Sequence, residues 1–349
     1  MTGALDPGAD AGPDDHAQRE VLHLLTGAWR TQALHAMAEL RIGDHLAGSP
    51  ADTRQLADLT GTDPGALTRL LCYLVGLGML RRTDDGRFGL TRAGALLADD
   101  HPDSLRGLAL MYGGPCYQAW GSLLHSLRTG RDAFSEVFGA PFFAYLAARP
   151  ELSETFQRSM SAGTSFFGAV TEHIDFNRAR VVADIGGGTG SLLCEVLRAA
   201  ESARGVLFEA PHVIEEARRH LGESGCLDRC TLVPGDFFAE VPVTADVYLL
   251  SRILHDWDDD GCLAVLRAVA RAMPDHGRLL VLERLMPEGD DDGLALAWNL
   301  HMLVTLPGAR ERTLAEYREL MAGAGLTLEA SHALPLDVTL LTAVRTPAA

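Results

Sequence analysis

The sequence predicts an α/β protein: a doubly wound sheet in the second half of the chain, preceded by an α-helical unit of winged-helix outline. Three observations carry that prediction. Beyond about Arg178, short apolar runs alternate with stretches of helical period, as in successive strand–helix–strand units. The first of those runs, Val181 to Ile185, opens directly into a glycine-rich turn, Gly186-Gly-Gly-Thr-Gly190. Upstream, Thr53 to Leu97 spells helix, turn, helix and hairpin.

The 349 residues suffice for two domains. Thirty Lys and Arg against 47 Asp and Glu give a net charge of −17. Such a field repels phosphate backbones and anionic lipid, so neither nucleic acid nor membrane is an expected partner. Residues 1–15, acidic and rich in Gly, Ala and Pro, are expected to form a disordered tail. They lack the basic-then-apolar order of a signal peptide, and no apolar run reaches the roughly 18–20 residues of a membrane helix. The six cysteines are scattered with no CxxC pair, which argues against a zinc or disulfide framework. A cytoplasmic location is expected.

Residues 16–100 are expected to form the winged-helix unit. Val21, Leu24, Leu25 and Ala28 recur at helical spacing. Thr53 opens a helix that Gly61 breaks, and Asp63-Pro64 starts a second that carries Leu70, Leu71 and Leu74. Arg81 to Leu90 alternates about Asp85-Gly86, a hairpin signal. A winged helix can read DNA, but this second helix offers one Arg, Arg69, among nearly continuous apolar residues. A recognition helix needs several polar side chains facing the groove. Despite Arg81, Arg82, Arg87 and Arg92 near the wing, burial against a partner subunit or a second domain is the expectation. Residues 101–174 read as connecting helices, rich in aromatics such as Tyr117, Trp120, Phe142, Phe143 and Phe156. Core packing accounts for most such residues, and some would line an apolar pocket. Residues 175–349 form the sheet domain, with strands at Val181–Ile185, Gly205–Glu209, Thr231–Val233, Val247–Leu250 and Arg278–Leu282, and a closing strand pair within Leu326–Val344. Ligands of such sheets bind at the carboxyl ends of the strands.

Those strand ends carry the chemistry. Gly186, Gly188 and Gly190 let backbone approach a ligand closely. The spacing is GxGxG, and Ser191 stands where a dinucleotide site has its third glycine. Asp184, just before the turn, can accept from the amino group of a bound amino acid. Glu209, 25 residues on, ends the second strand and suits a ribose diol. Gly235-Asp236-Phe237-Phe238 ends the third; Asp236 suits an adenine amino group, with Phe237 or Phe238 stacking on the ring. Acids at successive strand ends point to adenosine without pyrophosphate, hence to S-adenosylmethionine (SAM). Beyond the fourth strand lies Leu254-His255-Asp256-Trp257. Helix capping explains Asp256 and Asp258 but not the histidine. Methylating a phenol of pKa about 10 benefits from a general base, and histidine has its pKa near the working pH.

Taken together, these motifs make the chain resemble the two-domain SAM-dependent O-methyltransferases of plant phenolics and of bacterial aromatic polyketides and antibiotics. The matching segments span nearly the whole chain: the winged helix, Asp-Ile-Gly-Gly-Gly-Thr-Gly, Phe-Glu-Ala-Pro-His-Val, Gly-Asp-Phe-Phe, Leu-His-Asp-Trp and Gly-Ala-Arg-Glu-Arg-Thr. The resemblance implies a Rossmann-like SAM-methyltransferase sheet, with the winged helix as the dimerisation domain of a homodimer. It implies His255 as general base, flanked by Glu283 and Glu311; no metal is expected, because no His/Asp/Glu cluster at ligand spacing accompanies the site. It also places Met160, Asp256, Trp298, Asn299 and Met302 near the acceptor, Thr164 near the cofactor carboxylate, and Ser251 and Arg252 on the adenine side. Glu209 stands where plant members have Asp, Ser251 where they have Lys, and Asn299 where Asp is common. The expected substrate is a phenolic or enolic hydroxyl of a small aromatic or polyketide-like secondary metabolite, with S-adenosylhomocysteine as co-product. Two alternatives are carried: a SAM-retaining decarboxylase, hydroxylase or pericyclase of the same fold, and a DNA-binding regulator. His255, Glu283 and Glu311 argue against the first, and the apolar second helix against the second.

Overall fold

The computed structural model describes residues 13–161, 166–289 and 294–347. It divides into two units, Met1–Gly114 and Pro115–Ala349. Among the described residues no helix is long and apolar enough to cross a membrane.

In the first unit, helices Thr53–Thr60 and Pro64–Gly76 are followed by the antiparallel hairpin of β1 (Leu80–Arg82) and β2 (Phe88–Leu90). Local chemistry sets the boundaries. Asp52 and Gln55 form a capping box at the first helix, and Gly61 ends it at φ +65°. Asp63 caps the second, with Pro64 in its first turn. The apolarity of that second helix has a different destination from the one expected: Leu67, Leu71 and Leu74 are buried with Met37, Ile42, Leu56, Leu80 and Phe88 in the unit's own core. A second difference lies at the N-terminus. Helix Pro13–Leu25 begins inside the stretch expected as a tail, and residues 1–12 lie outside those described. Val21, Leu22, Leu24 and Leu25, with Trp29 on the next helix, leave an exposed apolar strip.

The boundary between units falls within the expected connecting segment. Its first helix, Arg106–Gly113, packs on helix Gly27–Glu39, where Gln32 Nε2 donates to the Gly113 carbonyl at 2.7 Å. The later helices, from Pro115–Trp120 to Phe166–His173, belong to the second unit.

The second unit is built on seven strands: β3 (Val181–Ile185), β4 (Arg204–Glu209), β5 (Cys230–Pro234), β6 (Val247–Ser251), β7 (Arg278–Arg284), β8 (Leu326–Leu334) and β9 (Val338–Arg345). Their order is β5-β4-β3-β6-β7-β9-β8. The first five are parallel, and β9 runs antiparallel to both β7 and β8. Side chains alternate across the sheet. Ala183, Ile185, Tyr248, Leu250, Leu279 and Val281 enter one core; Val182, Val247, Leu249, Leu280 and Leu282 enter the other. Burial on both faces is why the central strands read as unbroken apolar runs. The winding reverses between β3 and β6, and a crevice at that switch point is where an open α/β sheet takes its ligand.

Candidate active site

The turn after β3 forms the first half of the site. Gly186 and Gly188 have φ of +68° and +60°, a region costly for other residues. A Cβ on Gly186 would meet Ile253 at 2.8 Å, and one on Gly188 would meet Gln157 Oε1 at 2.9 Å. At the end of β4 the Glu209 carboxylate accepts from Gly188 N at 2.8 Å and from Ala210 N at 2.6 Å. It therefore braces the glycine turn; with about four lone-pair sites, it retains capacity for a diol. Asp184 is buried, and among the described residues no side chain donates a hydrogen bond to its carboxylate. Burial and the neighbouring Glu209 push it up to about 7. An unpaired buried carboxylate is a group whose cost a cationic ligand relieves. Ser251 Oγ, at the end of β6, is likewise buried without a partner. Asp184 with the glycine turn fits the amino acid end of SAM, and Glu209 fits its ribose.

After β5, Asp236 is exposed; its Oδ1 accepts from Phe238 N at 2.8 Å, and Phe237 and Phe238 pack edge to face. Gly235 serves packing as much as ligand approach, because a Cβ there would lie 2.4 Å from the Phe208 ring. Arg252, expected on the adenine side, follows Ser251 at the end of β6. Its φ of +56° accompanies a guanidinium that donates to the Met160 carbonyl at 2.6 Å and lies 5.8 Å from Phe166 and Phe167. From there its charge pulls against the upward shifts of Asp184 and Asp256. Thr164 lies outside the described residues.

The second half of the site forms beyond β6 and β7. His255 sits in a single 3-10 turn, Leu254–Asp256, and is buried. Its Nδ1 is 2.9 Å from Glu311 Oε1 and 3.7 Å from Glu283 Oε2, and its Nε2 is 3.4 Å from Asp256 Oδ1. A carboxylate only accepts, so Nδ1 carries the proton of that short bond and Nε2 is left to exchange protons. Glu283 has the parity of Leu279 and Val281 on β7, and its Oε1 accepts from Ile253 N and Leu254 N at 3.0 and 2.8 Å. It thus anchors the turn that carries His255.

Three carboxylates against one imidazole leave a buried excess of negative charge, which the cluster relieves by holding protons. Burial alone would lower His255, but Glu283, Glu311 and Asp256 overcome it and raise the group to about 10. Burial raises Glu283 to about 7 and Asp256 to about 6, each partly offset by His255. Glu283 Oε2, Glu311 Oε2 and Tyr317 Oη are buried without hydrogen-bond partners among the described residues. The donor atoms of His255, Glu283 and Glu311 lie within 4.8 Å of one another. The expectation that no such cluster accompanies the site is therefore corrected: sequence spacing hides it, and the sheet assembles it.

Several supporting residues carried no signal in the sequence. Arg312 is fully buried; it donates to Asp259 and to the carbonyls of Leu254 and Trp257, at 2.8–3.0 Å, clamping the turn from both sides. Arg310 N donates to the His255 carbonyl at 3.0 Å. Asn299, expected beside the acceptor, accepts from Glu311 N at 3.0 Å with its side-chain oxygen and so positions that acid. On the same helix, Leu294–Thr305, Met302 is buried and Trp298 lies half-exposed, with the Arg284 guanidinium 4.7 Å over its ring. Trp120 and His301, neither of them expected here, are joined by a 3.0 Å hydrogen bond.

Residues 120–327 match the model of the O-methyltransferase domain, and residues 22–100 that of the O-methyltransferase dimerisation domain. The chain belongs to the O-methyltransferase family. This O-methyltransferase is 46% identical over 336 residues to the 3-amino-4-hydroxybenzoate 4-O-methyltransferase of Streptomyces cremeus, covering 96% of this chain and 92% of that one. The solved structure of LaPhzM superimposes with a TM-score of 0.91 at 41% identity, over 94% of this chain and 99% of the other. A relative of different chemistry, the aclacinomycin 10-hydroxylase RdmB of Streptomyces purpurascens, is 38% identical over 96% of this chain and 92% of its own length.

Proposed function

We propose that this O-methyltransferase uses SAM to methylate a phenolic or enolic hydroxyl of a small aromatic or polyketide-like secondary metabolite, with His255 as general base. The carrying observation is the 2.9 Å bond from His255 Nδ1 to Glu311, which fixes the imidazole with Nε2 on its opposite side. Asp184, the glycine turn, Glu209, Asp236 and Phe237 would hold the cofactor through its amino group, ribose and adenine. When bound, SAM supplies an electrophilic methyl group on a sulfonium. Nε2 of His255 would take the proton of the acceptor hydroxyl, and the carbon–sulfur bond of the sulfonium would break as the oxygen gains the methyl group, leaving S-adenosylhomocysteine. Glu311 and Glu283 stabilise the resulting imidazolium, and Arg312 with Glu283 keeps the turn from shifting. Met160, Trp298 and Met302 are apolar side chains suited to a flat acceptor. The exposed strip of Val21, Leu22, Leu24, Leu25 and Trp29 fits a chain that works as a homodimer.

A second reading, in which SAM is kept but no methyl moves, is favoured by the 38% identity to a hydroxylase. Methyl-labelled SAM separates the two. Transfer of label to 3-amino-4-hydroxybenzoate or another phenol, largely lost in His255→Ala, supports the proposal. An acceptor transformed with no label incorporated sinks it in favour of the second reading.

A further inference from the structure

We propose that His255, Glu283 and Glu311 form a binding site for a divalent transition-metal ion of the zinc class, and that the bound ion switches methyl transfer off. The binding stands on geometry alone. The inhibition rests on the O-methyltransferase reading and deepens it, by naming a regulator of the same site.

One imidazole nitrogen with two carboxylates is a mixed donor set that suits Zn²⁺ or Co²⁺ better than Mg²⁺ or Ca²⁺. A tetrahedral ion about 2.0–2.1 Å from each donor holds those donors about 3.3 Å apart. His255 Nδ1 lies 2.9 Å from Glu311 Oε1 and 3.7 Å from Glu283 Oε2, on either side of that spacing. One donor atom from each of the three residues lies within 4.8 Å of the others. All three residues are buried, and Glu283 Oε2 and Glu311 Oε2 have no hydrogen-bond partner among the described residues. Such orphaned carboxylate oxygens are costly, and coordination to an ion relieves that cost. Glu283 need give nothing up, because Oε1 alone accepts from Ile253 N and Leu254 N. Oε2 can bind the ion while Oε1 still anchors the turn. Two carboxylates also balance the charge of a dication, and three protein donors leave it a fourth position for water.

The same geometry makes the ion an inhibitor rather than a cofactor. A metal takes the Nδ1 lone pair, so the hydrogen of a neutral ring must sit on Nε2. Nε2 is the nitrogen assigned to the proton of the acceptor hydroxyl, and once it carries hydrogen it can take no other. The ion itself would stand on the Nδ1 side of the ring, away from the oxygen it would have to polarise.

The test uses full-length enzyme stripped with a chelator that is then dialysed away, and Co²⁺, Zn²⁺ and Mg²⁺ as probes. Co²⁺ should show the visible absorption of a four-coordinate ion, and Zn²⁺ should displace it and abolish that band. Saturating Zn²⁺ should lower turnover by about 10²- to 10⁴-fold, the worth of a general base. A chelator should restore it, Mg²⁺ should do nothing, and SAM affinity by calorimetry should hold. Glu283→Gln and Glu311→Gln should each weaken Co²⁺ binding by at least about tenfold and lose the rise in Tm that Zn²⁺ gives wild type. Should either variant fail to fold, His255→Ala serves for the same comparison. No Co²⁺ band in wild type, or a band equally strong in the variants, overturns the site. Turnover that is unaltered or raised with the cluster occupied overturns the inhibition. If wild type methylates no acceptor, the O-methyltransferase reading fails, while the Co²⁺ spectrum and the Tm still decide the site.

Discussion

The two ends of the site are held by different means. The proposed cofactor end is made mostly of backbone: a glycine turn whose positive φ is costly for other residues, with Asp184 and Glu209 on adjacent parallel strands. The chemical end is made of side chains from distant segments, with Glu311 lying 56 residues beyond His255. A backbone site follows from the strand–turn–helix itself and has little freedom to be misplaced. A side-chain site must be held by a scaffold, here Arg312, Asn299 and the amides of Ile253 and Leu254. The first end is therefore vulnerable at its glycines, and the second at residues that never touch a ligand.

The largest expected effect is at the base. His255→Ala should lower kcat by about 10²- to 10⁴-fold with SAM affinity by calorimetry little changed; loss of both together would show that the ends are not separable. Next comes the clamp. Arg312→Leu takes the charged donor away from the Leu254 and Trp257 carbonyls, leaving them the weaker Cys262 thiol, so the denaturation midpoint should report a loss of about 2–3 kcal/mol. The shifted turn should also cost on the order of 10²-fold in kcat. A stable variant with normal kcat would end the argument that Arg312 positions His255. At the other end, Gly188→Ala forces a left-handed alanine, costing about 1–2 kcal/mol, and should raise the KM for SAM about tenfold; an unaltered KM would refute the backbone-cradle account.

A smaller effect is a displaced pH profile. His255 is raised to about 10 by its carboxylates, so its base form, and with it kcat/KM, should increase as pH rises on the alkaline side. Glu311→Gln removes one of those charges, lowers the histidine and should move that limb to lower pH; movement upward would contradict the assignment. The smallest expected effect is none. Chelators should leave turnover unaltered although His255, Glu283 and Glu311 lie at metal-binding distances. Activity lost to a chelator and restored by a divalent cation would replace the general base with a metal centre.

What the sequence determined by itself is what depends on short stretches of chain. Strand runs, the glycine turn, the Asp52 and Asp63 caps and the β1–β2 hairpin follow from periodicity and turn chemistry acting within about ten residues. His255 stood out because helix capping explained its neighbours and not itself, while Glu283 and Glu311 were found only through family resemblance. Tertiary structure alone decided the rest. It turned Arg252 toward Met160, committed Asn299 to Glu311 N, buried Arg312 in the loop it clamps, and joined His301 to Trp120, 181 residues away. It also buried Leu67, Leu71 and Leu74 of the second helix of the first unit in that unit's own core. The physical reason is one of range: backbone propensities act between neighbours, whereas the partner of a side chain is set by strand order and packing, which leave no mark beside the residue they constrain.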